Sequence, residues 1–200
     1  MPSLTLEITM TAPLHLGVSA DGLQIALDSR GDALLTATAL KGAHRASTEQ
    51  IARILTLRVC DLLADPCGAD PCAVCRIFGS RWTPGLMRYR DLTAPGAVTT
   101  ITRTRAAQSR RRGRHEQRIA TTETHAVVPA GVVFKGTLHH FIGDPGLLGL
   151  SLVGLRAIAA LGAGSAQGWG ACQVRASLFD NLNRPVDEDL LAAALRRLKL

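Results

Sequence analysis

Four of the chain's five cysteines, Cys60, Cys67, Cys72 and Cys75, fall within sixteen residues, in CDLLADPCGADPCAVC. Cys72 and Cys75 form a C-x2-C pair, a spacing that lets two thiolates grip one tetrahedral ion from a tight turn. Cys67 and Cys60 could complete a closed four-sulfur shell of the kind that holds structural Zn²⁺. His44 is an alternative fourth ligand, and Cys60 could instead serve as a small buried hydrophobe. A segment so rich in Pro, Gly and Ala cannot bury a core of its own, so a metal staple would stabilise it. A disulfide pair or redox-active thiols are the competing readings. No H-E-x-x-H pattern or comparable base-bearing motif accompanies the cysteines, so nothing points to a catalytic zinc.

A second concentration of chemistry is electrostatic. The formal net charge is +7, and residues 103–118, RTRAAQSRRRGRHEQR, carry seven arginines against one Glu, a net +6. Positive charge gathered in one Gly/Ser/Gln-bearing loop is the footprint of a polyphosphate partner, most often nucleic acid, although a solvated basic loop without a partner has the same composition. Two further loops carry candidate groups. GAGSAQGWGACQVR sets Gly162, Gly164, Gly168 and Gly170 around Trp169. Such glycines bring backbone N–H groups close to phosphate, or else simply make a tight turn. The loop precedes a strand and so matches neither a Walker nor a Rossmann pattern. GVSADGLQIALDSRGD offers Asp21, Asp28 and Asp32 among turn formers, where carboxylates usually cap turns.

The elements that must position these groups follow from periodicity. LTLEITMT (residues 4–11) alternates apolar and polar residues and reads as a strand. Residues 40–63 have helical spacing, with Ser47-Thr48-Glu49 as a point where the helix could break. LMRYRDLT, AVTTITRTRAA, IATTETHAVV and GVVFKGTLHHFI read as extended segments, the arginine loop lying between the second and third. A helix is expected over about 145–161, then a strand after the glycine loop. VDEDLLAAALRRLKL closes as an amphipathic helix with acids in its first turn and bases in its last.

This order predicts an α+β sandwich of the ferredoxin or RNA-recognition-motif type, a single domain over 1–200 with insertions at about 60–80 and 103–124. The chain is 46% apolar but only 4% aromatic, so its core must rest on aliphatic residues. No apolar run reaches the roughly 18 residues of a membrane span, and MPSLTLEITM lacks the pattern of a signal peptide. A cytoplasmic protein without a membrane partner is the expectation, and in that compartment clustered cysteines favour metal.

Taken in order, SLTLEITMTAPLHLG, ALKGAHR, CAVCRIFGS, the TRTR excursion, VPAGVVFKG and GAGSAQGWGACQVR resemble the RAMP superfamily, in particular the repeated backbone subunits of type III CRISPR effector complexes. The resemblance runs from about residue 4 to residue 175. It implies a modified RNA-recognition-motif fold that holds guide CRISPR RNA by its sugar-phosphate backbone. It also implies stacking with other copies of itself and with other effector subunits, and an extended β-hairpin, the thumb, that kinks the guide–target RNA duplex. On this chain the thumb spans about 103–124 and carries Arg103, Arg105, Arg110, Arg111, Arg112 and Arg114. Lys41, Arg45 and the loop of Gly164, Gly168, Trp169 and Gly170 match guide-RNA contacts. Many such subunits cut target RNA with an Asp in the loop after the first strand, assisted by a divalent cation such as Mg²⁺. Asp21 is the nearest match, with Asp28 the fallback. The loop departs from the family in reading Thr-Ala-Thr-Ala before Leu-Lys-Gly.

Two other readings use the same residues. A stand-alone CRISPR RNA-processing endoribonuclease of the superfamily would use His as general acid or base, with His15, His115, His139 and His140 available. His139 and His140 adjoin in a predicted strand, so their rings should face opposite sides. A non-catalytic zinc-stapled protein with a basic loop is the third reading.

Overall fold

The computed structural model describes residues 2–16, 26–61, 67–95, 98–107, 119–165 and 168–198. Asp21, His115, Arg110, Arg111, Arg112 and Arg114 lie outside the described residues. The first strand, β1 (Ser3–Met10), is the middle of the core, with Leu4, Leu6, Ile8 and Met10 all turned inward as the alternation predicts. It is flanked on one side by β7 (Val133–His140) and on the other by β8 (Cys172–Phe179), both antiparallel. Beyond β7 come β4 (Leu92–Ala94) and β2 (Ala33–Leu35), giving the order β2-β4-β7-β1-β8. The short β3 (Met87–Arg88) also pairs with β7. The result is a mixed α+β architecture built on an antiparallel sheet.

One face of that sheet carries the helices. α1 (Ala37–Ile54) starts at Thr36, whose hydroxyl caps the Ala39 N–H. It runs unbroken through Ser47 and Thr48, whose hydroxyls bond back to carbonyls one turn earlier, Thr48 to His44 at 2.7 Å and Ser47 to Ala43 at 3.1 Å, and so do not compete for the helix's own N–H groups. The helix stops at Ile54, not near residue 63, where Leu55 turns and Thr56 takes φ 58°. A short helix that periodicity does not predict, α2 (Ala73–Phe78), is formed by the C-x2-C stretch itself. α3 (Pro145–Arg156) is capped by Asp144, which accepts from the Gly146 and Leu147 N–H groups, and is shorter than its periodicity suggests. Nearly all of α3 is buried, lying against α1, the sheet and α4 (Glu188–Arg197). Glycines make that crowding possible: a Cβ at Gly154 would collide with the Thr48 hydroxyl.

The opposite face of the sheet presents polar side chains, with Glu7 between Lys135 and Arg175 in register. The strands β5 (Thr99–Ala107) and β6 (Ile119–Val127) leave the body as a separate two-stranded antiparallel ribbon, in register from Thr99↔Val127 to Ala107↔Ile119. Its base is tied to the body by reciprocal 2.8 Å bonds between Leu14 and Val128. Among the described residues no helix is long and apolar enough to cross a membrane.

Candidate metal centre and nucleic-acid interface

The thiol groups of Cys60, Cys67, Cys72 and Cys75 converge, all four Sγ atoms lying within 4.8 Å of one another. Cys67, Cys72 and Cys75 are buried and Cys60 is half-buried. Two of the separations are 3.3 Å, Cys60 to Cys75, and 3.9 Å, Cys72 to Cys60. A tetrahedral ion with Zn–S bonds of about 2.3 Å needs sulfurs roughly 3.8 Å apart, so the cluster needs only a small adjustment to close on Zn²⁺. Part of the environment suits thiolates, at Cys67 above all. The Cys72 N–H donates to Cys67 Sγ at 3.2 Å and draws that thiol down to about 7. The guanidinium groups of Arg45 and Arg58 lie 3.6 Å from Cys75 Sγ and 3.9 Å from Cys67 Sγ. Burial pushes Cys75 up to about 12, so its proton has to be displaced by a cation with real affinity for sulfur. Four soft donors with charge-neutralising N–H groups around them fit structural zinc.

His44 is not the fourth ligand. It is fully buried in α1, its Nε2–H donating to the Ser151 carbonyl at 2.8 Å and its Nδ1 accepting from the Tyr89 hydroxyl at 2.7 Å. Both nitrogens are used, and burial lowers its pKa to about 3. The segment around the cysteines borrows its core from the body. Val74, Ile77 and Phe78 are buried, and the Phe78 ring meets His44 edge-on at 4.7 Å.

Arg45 joins this centre to α1 and to the loop beyond α2. Its Nε donates to Glu49 at 2.9 Å, one terminal nitrogen to the Gly79 carbonyl at 2.9 Å, and the other faces Cys75. Its guanidinium is therefore engaged within the protein, whereas Lys41, one turn earlier, is exposed. Lys41, Arg45, Gly79, Ser80 and Arg81 border an open polar groove. Gly79, at φ 87°, and Gly85 pack backbone on backbone there, and a Cβ at either would approach the facing segment to 2.7 or 2.6 Å.

The glycine loop closes on itself. Gly162, Gly164, Gly168 and Gly170 all have positive φ, and a Cβ at Gly170 would strike the Leu161 carbonyl oxygen. The N–H groups of Ala163, Gly168, Trp169 and Gly170 already donate to protein carbonyls. Trp169 is 4% exposed, its ring meeting His15 and His125 edge-on at 5.5 and 5.0 Å. The loop thus packs against the root of the hairpin, where His15 Nδ1–H donates to the Ala126 carbonyl on β6 at 3.0 Å. Arg103 and Arg105 stand on β5, opposite Glu123 and Thr121 in the register. Asp28 holds a turn: its carboxylate accepts from the Arg30 and Asp32 N–H groups at 2.8 and 2.9 Å, with Gly31 at φ 84°. His139 and His140 alternate along β7, and His140 is buried, which lowers its pKa.

The chain's fold has a counterpart among solved structures. It is similar to a chain in a cryo-EM structure of the Type III-B Cmr-beta bound to cognate target RNA, with a TM-score of 0.64 and 16% identity. The match covers 88% of this chain and 60% of that one, so this chain spans about three-fifths of its counterpart's length. At that identity the likeness is one of fold. No family model matches the sequence, and no curated protein does.

Several residues of the site were not legible in the sequence. Arg58 faces Cys67 and also pairs with Asp70 at 3.0 Å. Tyr89, beyond the cysteine segment, supplies the proton that occupies His44. Arg81 and Trp82 sit in a turn between Gly79 and Gly85, and the pair of glycines bracketing SRWTP was the available signal.

Proposed function

We propose that this chain is an RNA-binding backbone subunit of a type III CRISPR effector ribonucleoprotein, a RAMP-superfamily protein of antiviral defence. The observation that carries the proposal is the fold shared with a chain of the Cmr-beta structure, which is bound to target RNA. The β5–β6 ribbon supports it, since the arginine-rich run 103–118 begins on β5 and ends next to the start of β6. A ferredoxin-like core, with the whole chain as one domain, is part of the reading. With β1, α1, β4, β7, α3 and β8 as its six elements, the observed neighbours β4-β7-β1-β8 follow the βαββαβ order. In this reading the ribbon is the thumb that distorts the guide–target duplex. Lys41 and the thumb arginines face guide RNA, the glycine loop with buried Trp169 props the root of the thumb instead of offering its amides to phosphate, Arg45 holds the groove in shape, and the four cysteines hold Zn²⁺. Binding of this kind relies on charge and backbone shape and is indifferent to base sequence.

Target-RNA cleavage is the finer part of the proposal. Asp21 is its carboxylate, because Asp28 is committed to its turn. A divalent cation such as Mg²⁺ would offset charge developing on the scissile phosphate. The role of the protein is chiefly to hold the target's 2′-OH in line with that phosphate.

The test is purification of the chain co-expressed with its CRISPR array and partner subunits. Short RNA of uniform length should copurify in a particle holding several copies of the chain, and a particle consistently free of such RNA would refute the assignment. Within such a particle Asp21→Ala should abolish target cleavage and leave RNA content unchanged. Cleavage that survives the substitution removes Asp21 from the role. The processing-nuclease reading is disfavoured by the burial of His140, which cannot share a catalytic dyad with His139 from the other side of β7.

A further inference from the structure

We propose that the turn at residues 80–83 is a nucleotide-stacking site, in which the Trp82 ring takes a nucleobase and Arg81 with Lys41 takes the adjoining phosphate. The inference rests on the RNA-binding reading and adds to it a site apart from the thumb and the glycine loop. A single exposed apolar side chain is ordinary. Trp82 differs because it is exposed on a turn whose backbone is held. It is 64% exposed, while the only other tryptophan, Trp169, is 4% exposed. The Ser80 hydroxyl accepts from the Trp82 and Thr83 N–H groups, both at 3.2 Å, and the Ser80 N–H donates to the Thr83 carbonyl at 2.8 Å.

The base of the turn is locked as well. Gly79 and Gly85 pack against each other too closely to admit a side chain, and Arg45 clamps the Gly79 carbonyl. Through Arg45 and Cys75 the turn is braced against the four-cysteine centre. The backbone beneath the indole is therefore fixed, which lowers the entropic cost of ordering the turn when a ligand stacks on the ring.

The chemistry beside the ring selects the ligand. The Arg81 guanidinium lies 5.2 Å over the Trp82 centroid, and Arg81 also lines the neighbouring groove of about 380 Å³ with Lys41 and Arg45. No carboxylate lines that groove, and neither Lys41 nor Arg81 has an ion-pair partner among the described residues. An indole met on one face by a guanidinium, beside cations without an ion-pair partner among the described residues, fits a ligand that is flat at one end and anionic at the other. A nucleotide of single-stranded RNA has that form, and stacking on an aromatic ring tolerates any base. A protein partner would need both carboxylates for the cations and a pocket for the indole.

The experiment measures binding of the full chain to an oligouridylate and to a ribose-phosphate oligomer of equal length that lacks bases. Trp82→Ala should weaken oligouridylate binding roughly 5- to 150-fold while leaving the abasic oligomer bound as before. Trp82→Phe should restore most of the loss. Lys41→Ala with Arg81→Ala should weaken both ligands. Oligouridylate should quench tryptophan emission in the unsubstituted chain and not in Trp82→Ala. If Trp82→Ala binds oligouridylate as the unsubstituted chain does, with emission unchanged by RNA throughout, the stacking site is overturned and the RNA-binding reading stands. If that variant keeps its RNA affinity but loses self-association in sedimentation, Trp82 is a protein contact and the site is likewise overturned. If the unsubstituted chain, alone and in its co-expressed particle, binds neither oligomer, the RNA-binding reading fails and the site with it.

Discussion

His44 shows how a residue type that suggests chemistry can be consumed by structure. It lies in α1 between Tyr89, Ser151 and Phe78, with both nitrogens paired, and it is neutral because burial disfavours its charged form. Its folded pKa, about 3, lies below the ordinary 6.5. The unfolded chain therefore binds a proton that the folded chain rejects. Stability is whole above pH 6.5 and falls as the pH drops from there towards 3, by about 1.4 kcal/mol per pH unit. Buried His140 pushes in the same direction. Unfolding free energies from urea curves at pH 7 and pH 5 should differ by about 2 kcal/mol more in the native chain than in His44→Gln, whose amide can still donate to Ser151. Acid sensitivity common to both proteins belongs to the groups they share, among them His140 and the paired carboxylates of Asp180 and Glu188. Tyr89→Phe leaves the buried His44 Nδ1 without its donor and should cost about 1–3 kcal/mol at neutral pH, read from the same urea curves.

Among the elements, α1 and α3 meet through backbone because Gly154 has no side chain. Ser47 donates to the Gly154 carbonyl at 2.7 Å, and Thr48 fills the space where a Cβ would stand. Gly154→Ala should force the helices apart and cost about 1–3 kcal/mol, seen as a thermal midpoint lower by roughly 2–10 °C. The ribbon β5–β6 makes a different demand. Among the described residues its strands pair only with each other, over nine residues a side, so beyond the root anchored at Ala126 and Val127 its stability is local. Neutralising Arg110, Arg111, Arg112 and Arg114 should leave thermal stability within about 0.5 kcal/mol. The same change should flatten the salt dependence of RNA binding by about 0.7 in log–log slope for each phosphate that is no longer neutralised. A slope that does not change would mean that the arginines touch no RNA.

For the whole molecule, the four-cysteine centre joins the segment after α1 to α2, which also share the core around Phe78 and His44. Cys60 follows α1, Cys72 and Cys75 belong to α2 and its cap, and Arg45 ties both to the Gly79 turn. One equivalent of zinc per chain should be found by elemental analysis. Its removal by a chelator, or Cys75→Ser, should lower the thermal midpoint by roughly 10 °C or more. Because the turn at 80–83 is braced by the same arginine, metal loss should also weaken RNA binding more than Lys41→Ala alone does. Equal stability with and without chelator would show that the cysteines are only packed thiols.

Much of this protein could be read in one dimension. The alternation of β1, the ribbon strands on either side of the arginine run, the acid-to-base polarity of α4 and the grouping of four cysteines all rest on local periodicity or composition, which the sequence displays directly. Tertiary structure decided what each reactive group is free to do. The C-x2-C stretch became a helix because Val74, Ile77 and Phe78 found the body's core. Arg45 turned from solvent to a carbonyl and a thiol, Trp169 turned inward against two histidines, and His44 was excluded from the metal set by partners 45 and 107 residues away. Periodicity marks which face of an element is apolar. Which polar groups meet across that face depends on chain closure over long separations, and only packing in three dimensions specifies it.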